Sequence, residues 1–159
     1  MPVYKGRTRG DGRRIGIVVS RFNELITDRL LAGARACLLD HDVDEDAIHV
    51  AWTPGAWELP LAARMLLEGK DCDAVVALGC VIRGDTPHFD FVAGAAATGL
   101  ANLSANTGRP VAFGVLTTDT TEQALARAGG KVGNKGWEAA QAVLEMLDLE
   151  RVLEAGRGS

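Results

Sequence analysis

Four short apolar runs, each followed by a stretch of helical periodicity, set the pattern of the chain. Ile15-Gly16-Ile17-Val18-Val19, Ile48-His49-Val50-Ala51-Trp52, Ala74–Ile82 and Val111-Ala112-Phe113-Gly114-Val115-Leu116 have the length and composition of strands. The third is continuous enough to be buried on both faces and far too short to cross a membrane. After the first run, Ile26, Leu30, Ala34 and Leu38 recur every fourth residue, predicting a helix to about Leu39 with Asn23 as its N-cap. After the second, Pro54-Gly55 marks a turn, and Pro60 fits only the first turn of a helix that continues through Met65 and Leu67. Beyond the third run, small and apolar residues resume at Phe91, with Ala93, Ala96, Ala97 and Leu100 on one helical face. A fourth helix is predicted over 121–128, ended by Gly129-Gly130. Residues 133–154 read as a long last helix whose apolar side is Ala139, Ala142, Val143, Met146, Leu147 and Leu153.

Strands alternating with helices of this length predict an α/β domain. It is a three-layer αβα sandwich with a four-stranded parallel sheet flanked by helices on both faces. Such a sheet is narrow, so an added strand or a subunit contact is expected to finish the layer. Residues 1–14 are basic and glycine-rich, and two readings stand side by side. They are a disordered tail, or an arm whose Val3 and Tyr4 pair with a neighbouring subunit. Residues 15–159 are then the domain.

Composition narrows the function. With 159 residues, 47% hydrophobic and 24% charged, the chain is an ordinary single globular domain. A net charge of −4 gives no support for nucleic-acid binding. Cys37, Cys72 and Cys80 form no CxxC pair and read as small buried residues of a reducing cytosol. His41, His49 and His88 have no metal-ligand spacing, so no metal is expected. No apolar core near residue 1 makes a secretory signal, and the expected location is cytoplasmic, with no membrane contact.

The candidate chemistry lies where the strands end. In a parallel sheet these ends share one edge, where ligands of α/β proteins bind. Here that edge presents Phe22 and Asn23, then Ala56, Trp57 and Glu58, then Cys80 to His88, then Phe113 and Thr117. Flat aromatics beside one carboxylate suit a planar, hydrogen-bonding heterocycle. Gly84-Asp85-Thr86 ahead of a helix offers N–H groups and a hydroxyl to a phosphate, with Arg127 and Lys135 as countercharge. His88 is the one imidazole of this set, the side-chain type suited to passing protons. No G-x-G-x-x-G follows the first strand, and neither a Walker sequence nor a G-x-S-x-G elbow occurs.

Five motifs in order strongly resemble the 6,7-dimethyl-8-ribityllumazine synthase family over about residues 15–146. They are Ser20-Arg21-Phe22-Asn23; Pro54-Gly55-Ala56-Trp57-Glu58-Leu59-Pro60; Gly79 through Asp90; Phe113-Gly114-Val115-Leu116-Thr117-Thr118; and Asn134-Lys135-Gly136. Trp57 stands where phenylalanine is usual and Asp85 where glutamate is common. The resemblance implies a flavodoxin-like fold and a transferase of riboflavin biosynthesis that needs no cofactor. It implies that 5-amino-6-(D-ribitylamino)uracil stacks on Phe22 and bonds along Ala56, Trp57 and Glu58. Its other edge would meet Cys80, Val81 and Ile82, with Phe113 from a neighbouring subunit. The second substrate, 3,4-dihydroxy-2-butanone 4-phosphate, would set its phosphate at the Asp85 backbone and Thr86, beside Gly84, against Arg127 of that neighbouring subunit with Lys135, and His88 would be the acid/base. The family forms homopentamers, some of which assemble into icosahedral shells. The uninterrupted turn 129–134 looks like the shell-forming type. Riboflavin synthase is an implied partner, and a non-catalytic flavin-binding or shell-forming relative is the alternative.

Overall fold

The run Ala74–Ile82 forms β3, buried along its length except for half-buried Ile82. In the computed structural model, which describes residues 1–156, β3 pairs in parallel with β1 (Ile15–Ser20) on one side and β4 (Val111–Thr118) on the other. β2 (Ile48–Thr53) pairs in parallel with the outer side of β1, giving the order β2-β1-β3-β4. Alternation along β1 and β3 divides the core in two. Ile17, Val19, Val76 and Leu78 face α1 (Glu24–Asp40) and α5 (Lys135–Ala155), meeting Leu30, Leu38, Val143 and Leu147. Val18, Val75 and Ala77 face α2 (Leu59–Gly69) and α3 (His88–Thr107), meeting Leu59, Leu67, Ala96 and Leu100. The fold is the flavodoxin-like α/β sandwich expected. Residues 157–159, the end of the expected domain, lie outside the described residues.

Three boundaries differ from the sequence reading. α3 begins at His88 rather than near Phe91, because Pro87 ends the preceding turn and the backbone turns helical at once. α4 (Thr121–Ala126) stops two residues short of Ala128. The chain then makes a small antiparallel pair, β5 (Ala128–Gly130) with β6 (Gly133–Asn134). Gly129 and Gly133 reverse it at φ 102° and 103°, values that a side chain disfavours. α5 therefore starts at Lys135, where Asn134 Oδ1 accepts from the N–H groups of Gly136 (2.8 Å) and Trp137 (3.1 Å).

The buried side of α5 is also rotated from the expected one. Ala139, Ala140, Val143, Leu144 and Leu147 are buried, while Ala142, Met146 and Leu153 face outward beside the start of β4. The apolar arc of this helix is wider than one face, and close docking on α1 decides which part turns inward. The remainder lines an open groove of about 620 Å³ between α5 and the end of α3.

Residues 6–14 are not a disordered tail; they pack on their own chain. The Arg7 N–H donates to Asp148 Oδ2 at 2.6 Å, the Arg151 guanidinium bonds Oδ1 at 2.8 Å, and Arg9 lies 3.9 Å from it. The Gly10 N–H donates to the His41 carbonyl at 2.7 Å and the Arg14 N–H to Asp73 at 2.8 Å. Val3 and Tyr4 remain exposed. Hydrogen bonds from Arg151 and the Arg7 amide hold the buried Asp148 carboxyl below its ordinary value of 3.8. A depressed folded value means that this carboxylate stabilises the latch at neutral pH, and that its contribution is lost as the pH falls below 3.8 through the folded value. Asp148→Asn should make the arm cleavable by trypsin at Arg7 and Arg9 at neutral pH with the core intact. Unchanged cleavage kinetics would count against the latch.

Candidate functional site

The carboxyl ends of β1, β2 and β3 and the start of α3 enclose a cavity of about 480 Å³. Phe22 enters it from the turn after β1. The N–H groups of Arg21 and Phe22 donate to the Thr53 and Pro54 carbonyls (2.7 and 3.2 Å), prolonging the β1–β2 ladder up to the aromatic ring. Asn23 is not the side-chain cap expected. It adopts the left-handed conformation (φ 62°), and its Nδ2 donates to the Cys80 carbonyl at 3.0 Å. That bond ties together the ends of the two central strands, a long-range use no local spacing reveals.

The second wall is the 3-10 turn Ala56–Glu58 that leads into α2. Its approach is fixed by Thr53 Oγ1, which donates to the Gly55 carbonyl at 2.9 Å. Trp57 stands out of the core at 61% exposure, close to the 69% of Phe22, so neither ring is used for packing. Glu58 Oε2 is buried and has no hydrogen-bond partner among the described residues. A buried carboxylate oxygen left unbonded is costly and calls for a donor from the cavity.

β3 supplies Cys80, Val81 and Ile82 as the floor. Burial pushes the Cys80 thiol up to about 11, so it stays protonated at neutral pH and is no nucleophile. Beyond Ile82, Gly84 and Thr86 line the cavity, whereas Asp85 is exposed and is not part of its lining. His88 is exposed, borders the same space as Phe22, and donates its backbone N–H to Thr86 Oγ1 at 3.4 Å. Phe89 and Val92 on α3, with Pro54 and Gly55, complete the lining; none of the four is among the site residues expected from the sequence.

The remaining expected residues lie elsewhere. Arg127 and Lys135 border a second cavity of about 390 Å³, walled by Thr117, Asp119 and Gln123 at the end of β4. Thr120 and Gln123 form a capping box that starts α4, and Arg127 Nη1 donates back to the Gln123 carbonyl at 3.1 Å. Phe113 is 36% exposed on β4 and lines neither cavity. Arg83 was overlooked as a site residue. Its Nε donates to Asp119 Oδ1 at 2.9 Å, and its guanidinium lies 4.4 Å from the Phe89 ring centre.

The model of the 6,7-dimethyl-8-ribityllumazine synthase family matches residues 12–151 of the 159. The chain belongs to that family. Lumazine synthase function places it among the transferases of riboflavin biosynthesis, enzymes that bind small-molecule substrates. The match spans every strand of the main sheet and all the elements around both cavities. Among the described residues, no helix is long and apolar enough to cross a membrane, and no group of three or more His, Cys, Asp or Glu is placed to hold a metal.

Proposed function

We propose that this chain condenses 5-amino-6-(D-ribitylamino)uracil with 3,4-dihydroxy-2-butanone 4-phosphate to 6,7-dimethyl-8-ribityllumazine in the cytoplasm, at sites shared between neighbouring subunits. The observation that carries this reading is the division of the chemistry. Phe22, Trp57, unbonded Glu58 and His88 surround one cavity, while the cations Arg127 and Lys135 border another. Neither cavity has both the exposed aromatics and the cations. A second copy supplies what each lacks.

In this scheme the pyrimidine ring stacks on Phe22 and runs along Ala56, Trp57 and Glu58, with Cys80, Val81 and Ile82 at its other edge. The partner copy brings Phe113. The phosphate lies at Gly84, the Asp85 backbone and Thr86, facing the partner's Arg127 and Lys135. The uracil 5-amino group attacks the ketone and water leaves, giving an imine. Loss of a carbon-bound proton expels inorganic phosphate, and the ribityl-bearing nitrogen closes the ring with loss of a second water. His88 carries protons between these steps, a service worth ~100- to 10,000-fold. Holding both substrates in register supplies much of the rest.

Exposed apolar residues favour a homo-oligomer. Val50 and Trp52 on outer strand β2, with Leu61 and Met65 on α2, are 41–60% exposed. Large exposed apolar surface of this kind marks a contact between proteins. We extend this to a homopentamer and an icosahedral shell of pentamers, with riboflavin synthase as the enzyme that takes the product.

Mixing the two substrates with the protein should produce a new fluorescent lumazine with stoichiometric phosphate. Riboflavin binding without product would instead leave a non-catalytic flavin-binding relative. Glu58→Gln should raise KM for the uracil about 10- to 100-fold, the worth of a hydrogen bond to a buried charge, with kcat at saturation little changed. Steady-state kinetics with the uracil varied checks it; an unchanged KM would remove Glu58 from the site.

A further inference from the structure

Arg83 leaves β3 between Ile82 and Gly84, which line the first cavity, and lies beside Thr118 and Asp119, which line the second. Its backbone N–H donates to the Thr118 carbonyl at 2.8 Å, carrying the β3–β4 ladder one residue past the strands. Its side chain reaches both ways. Nε bonds Asp119 Oδ1 at 2.9 Å, at the end of β4. Nη1 lies 3.7 Å from Asp90 Oδ1, and the guanidinium carbon lies 4.4 Å from the Phe89 ring centre, both in the first turn of α3.

Each end of this bridge leads to a different half-site. On the α3 side it brackets the loop 84–87 and His88. On the β4 side the Asp119 N–H donates to Gln123 Oε1 at 2.9 Å, and the Gln123 carbonyl accepts from Arg127 at 3.1 Å. A continuous set of contacts therefore runs from Phe89 and Asp90 through Arg83, Asp119 and Gln123 to Arg127. One hydrogen bond to Asp119, an ion pair with Asp90 and the Phe89 ring all hold the guanidinium toward its own chain.

We infer that Arg83 is a positioning residue that serves two sites at once. It fixes the loop bearing Thr86 and His88 in the cleft of its own subunit. Through Asp119 and Gln123 it also aims Arg127 at the phosphate held in the neighbouring subunit's cleft. An exposed ion pair by itself is weak; here the contact with the Phe89 ring, the extended ladder and the second carboxylate add to it. The kinetic part of the inference rests on the proposed reaction, and the structural part stands without it.

Amide hydrogen exchange on the intact, ligand-free assembly tests the structural part. Arg83→Gln and Asp119→Asn should each speed exchange about tenfold in both segments, 84–88 and 121–127, with the buried strands unchanged. A change in one segment only, or in neither, overturns the bridge. Kinetics tests the rest. Each substitution should raise KM for the phosphate substrate about tenfold and lower kcat about tenfold, since small misplacements at reacting groups are costly. The double variant should be no worse than either single one, because both remove the same contact. Arg83→Lys, which keeps the charge but not the flat stack, should recover part of the loss. Tighter use of the phosphate substrate by Asp119→Asn would make Arg83 a direct ligand and overturn the inference, as would a lowered Tm with unchanged kinetic constants. If the wild-type protein makes no lumazine, the proposed reaction falls while the exchange result still decides the bridge.

Discussion

An equimolar co-assembly of His88→Ala and Arg127→Ala subunits should form lumazine at about one quarter of the wild-type rate, although each variant alone is strongly impaired. The two residues border separate cavities of one chain, and in the proposed scheme a complete site draws them from different copies. Loss of His88 removes acid–base help worth ~100- to 10,000-fold without abolishing turnover. Loss of Arg127 removes a charge-assisted grip on phosphate and shows mainly as a raised KM for that substrate. In a random mixture, each cleft has an even chance of carrying His88 and an even chance of facing an intact Arg127. The product of these chances is the restored fraction. Lumazine fluorescence of subunits unfolded together and reassembled, at limiting phosphate substrate, measures it. A rate no greater than the mean of the two variants would place both residues in one subunit's site.

Gly136→Ala should lower stability by about 3 kcal/mol, near the upper end of overpacking costs, and Tm by roughly 6–12 °C. A methyl at position 136 would collide with the Leu30 carbonyl oxygen, and its neighbour there is backbone that has no rotamer to change. α1 and α5 meet at this point, and Gly33 lies so close to the Asn134 side chain that it too has no room for a Cβ. Thermal unfolding followed by circular dichroism checks the effect. A Tm within a degree of wild type would show that the two helices separate at little cost. The same geometry explains Asn134-Lys135-Gly136. Asn134 caps the helix and donates to the Arg29 carbonyl at 3.0 Å, and Gly136 lets it dock, so two of these three residues are architectural.

The strands were legible because each apolar run is short and punctuated, and β1 and β3 are buried as their composition demands, while β2 stays half-exposed at the sheet edge. The helices that pack with ordinary spacing followed from their periodicity, as Ile26, Leu30, Ala34 and Leu38 do on α1. Less legible was whatever depends on contacts between distant segments. Asn23 has the chemistry of a cap, yet its backbone is left-handed and its amide is used across the sheet by Cys80. The outward turn of Met146 and Leu153 follows from how closely α5 meets α1, which periodicity on one helix does not encode. Within the candidate site, Phe22, Trp57, Glu58 and His88 come together as strand-end residues should. The separation of Arg127 from them is a matter of three-dimensional distance, and only the resemblance to a shared-site family anticipated it. Arg83 was written in the motif beside His88, but its partner Asp119 lies 36 residues further along the chain, beyond the reach of local reading.

β2 has one further consequence, for making the protein. It is the outermost strand on its side, and Val50 and Trp52 there are 42% and 41% exposed. A newly synthesised copy thus offers an open ladder flanked by greasy side chains, which is the raw material of precipitation. In the proposed oligomer copies have to find each other before they find strangers, so soluble yield should depend on the pace of translation as much as on the stability of the finished domain.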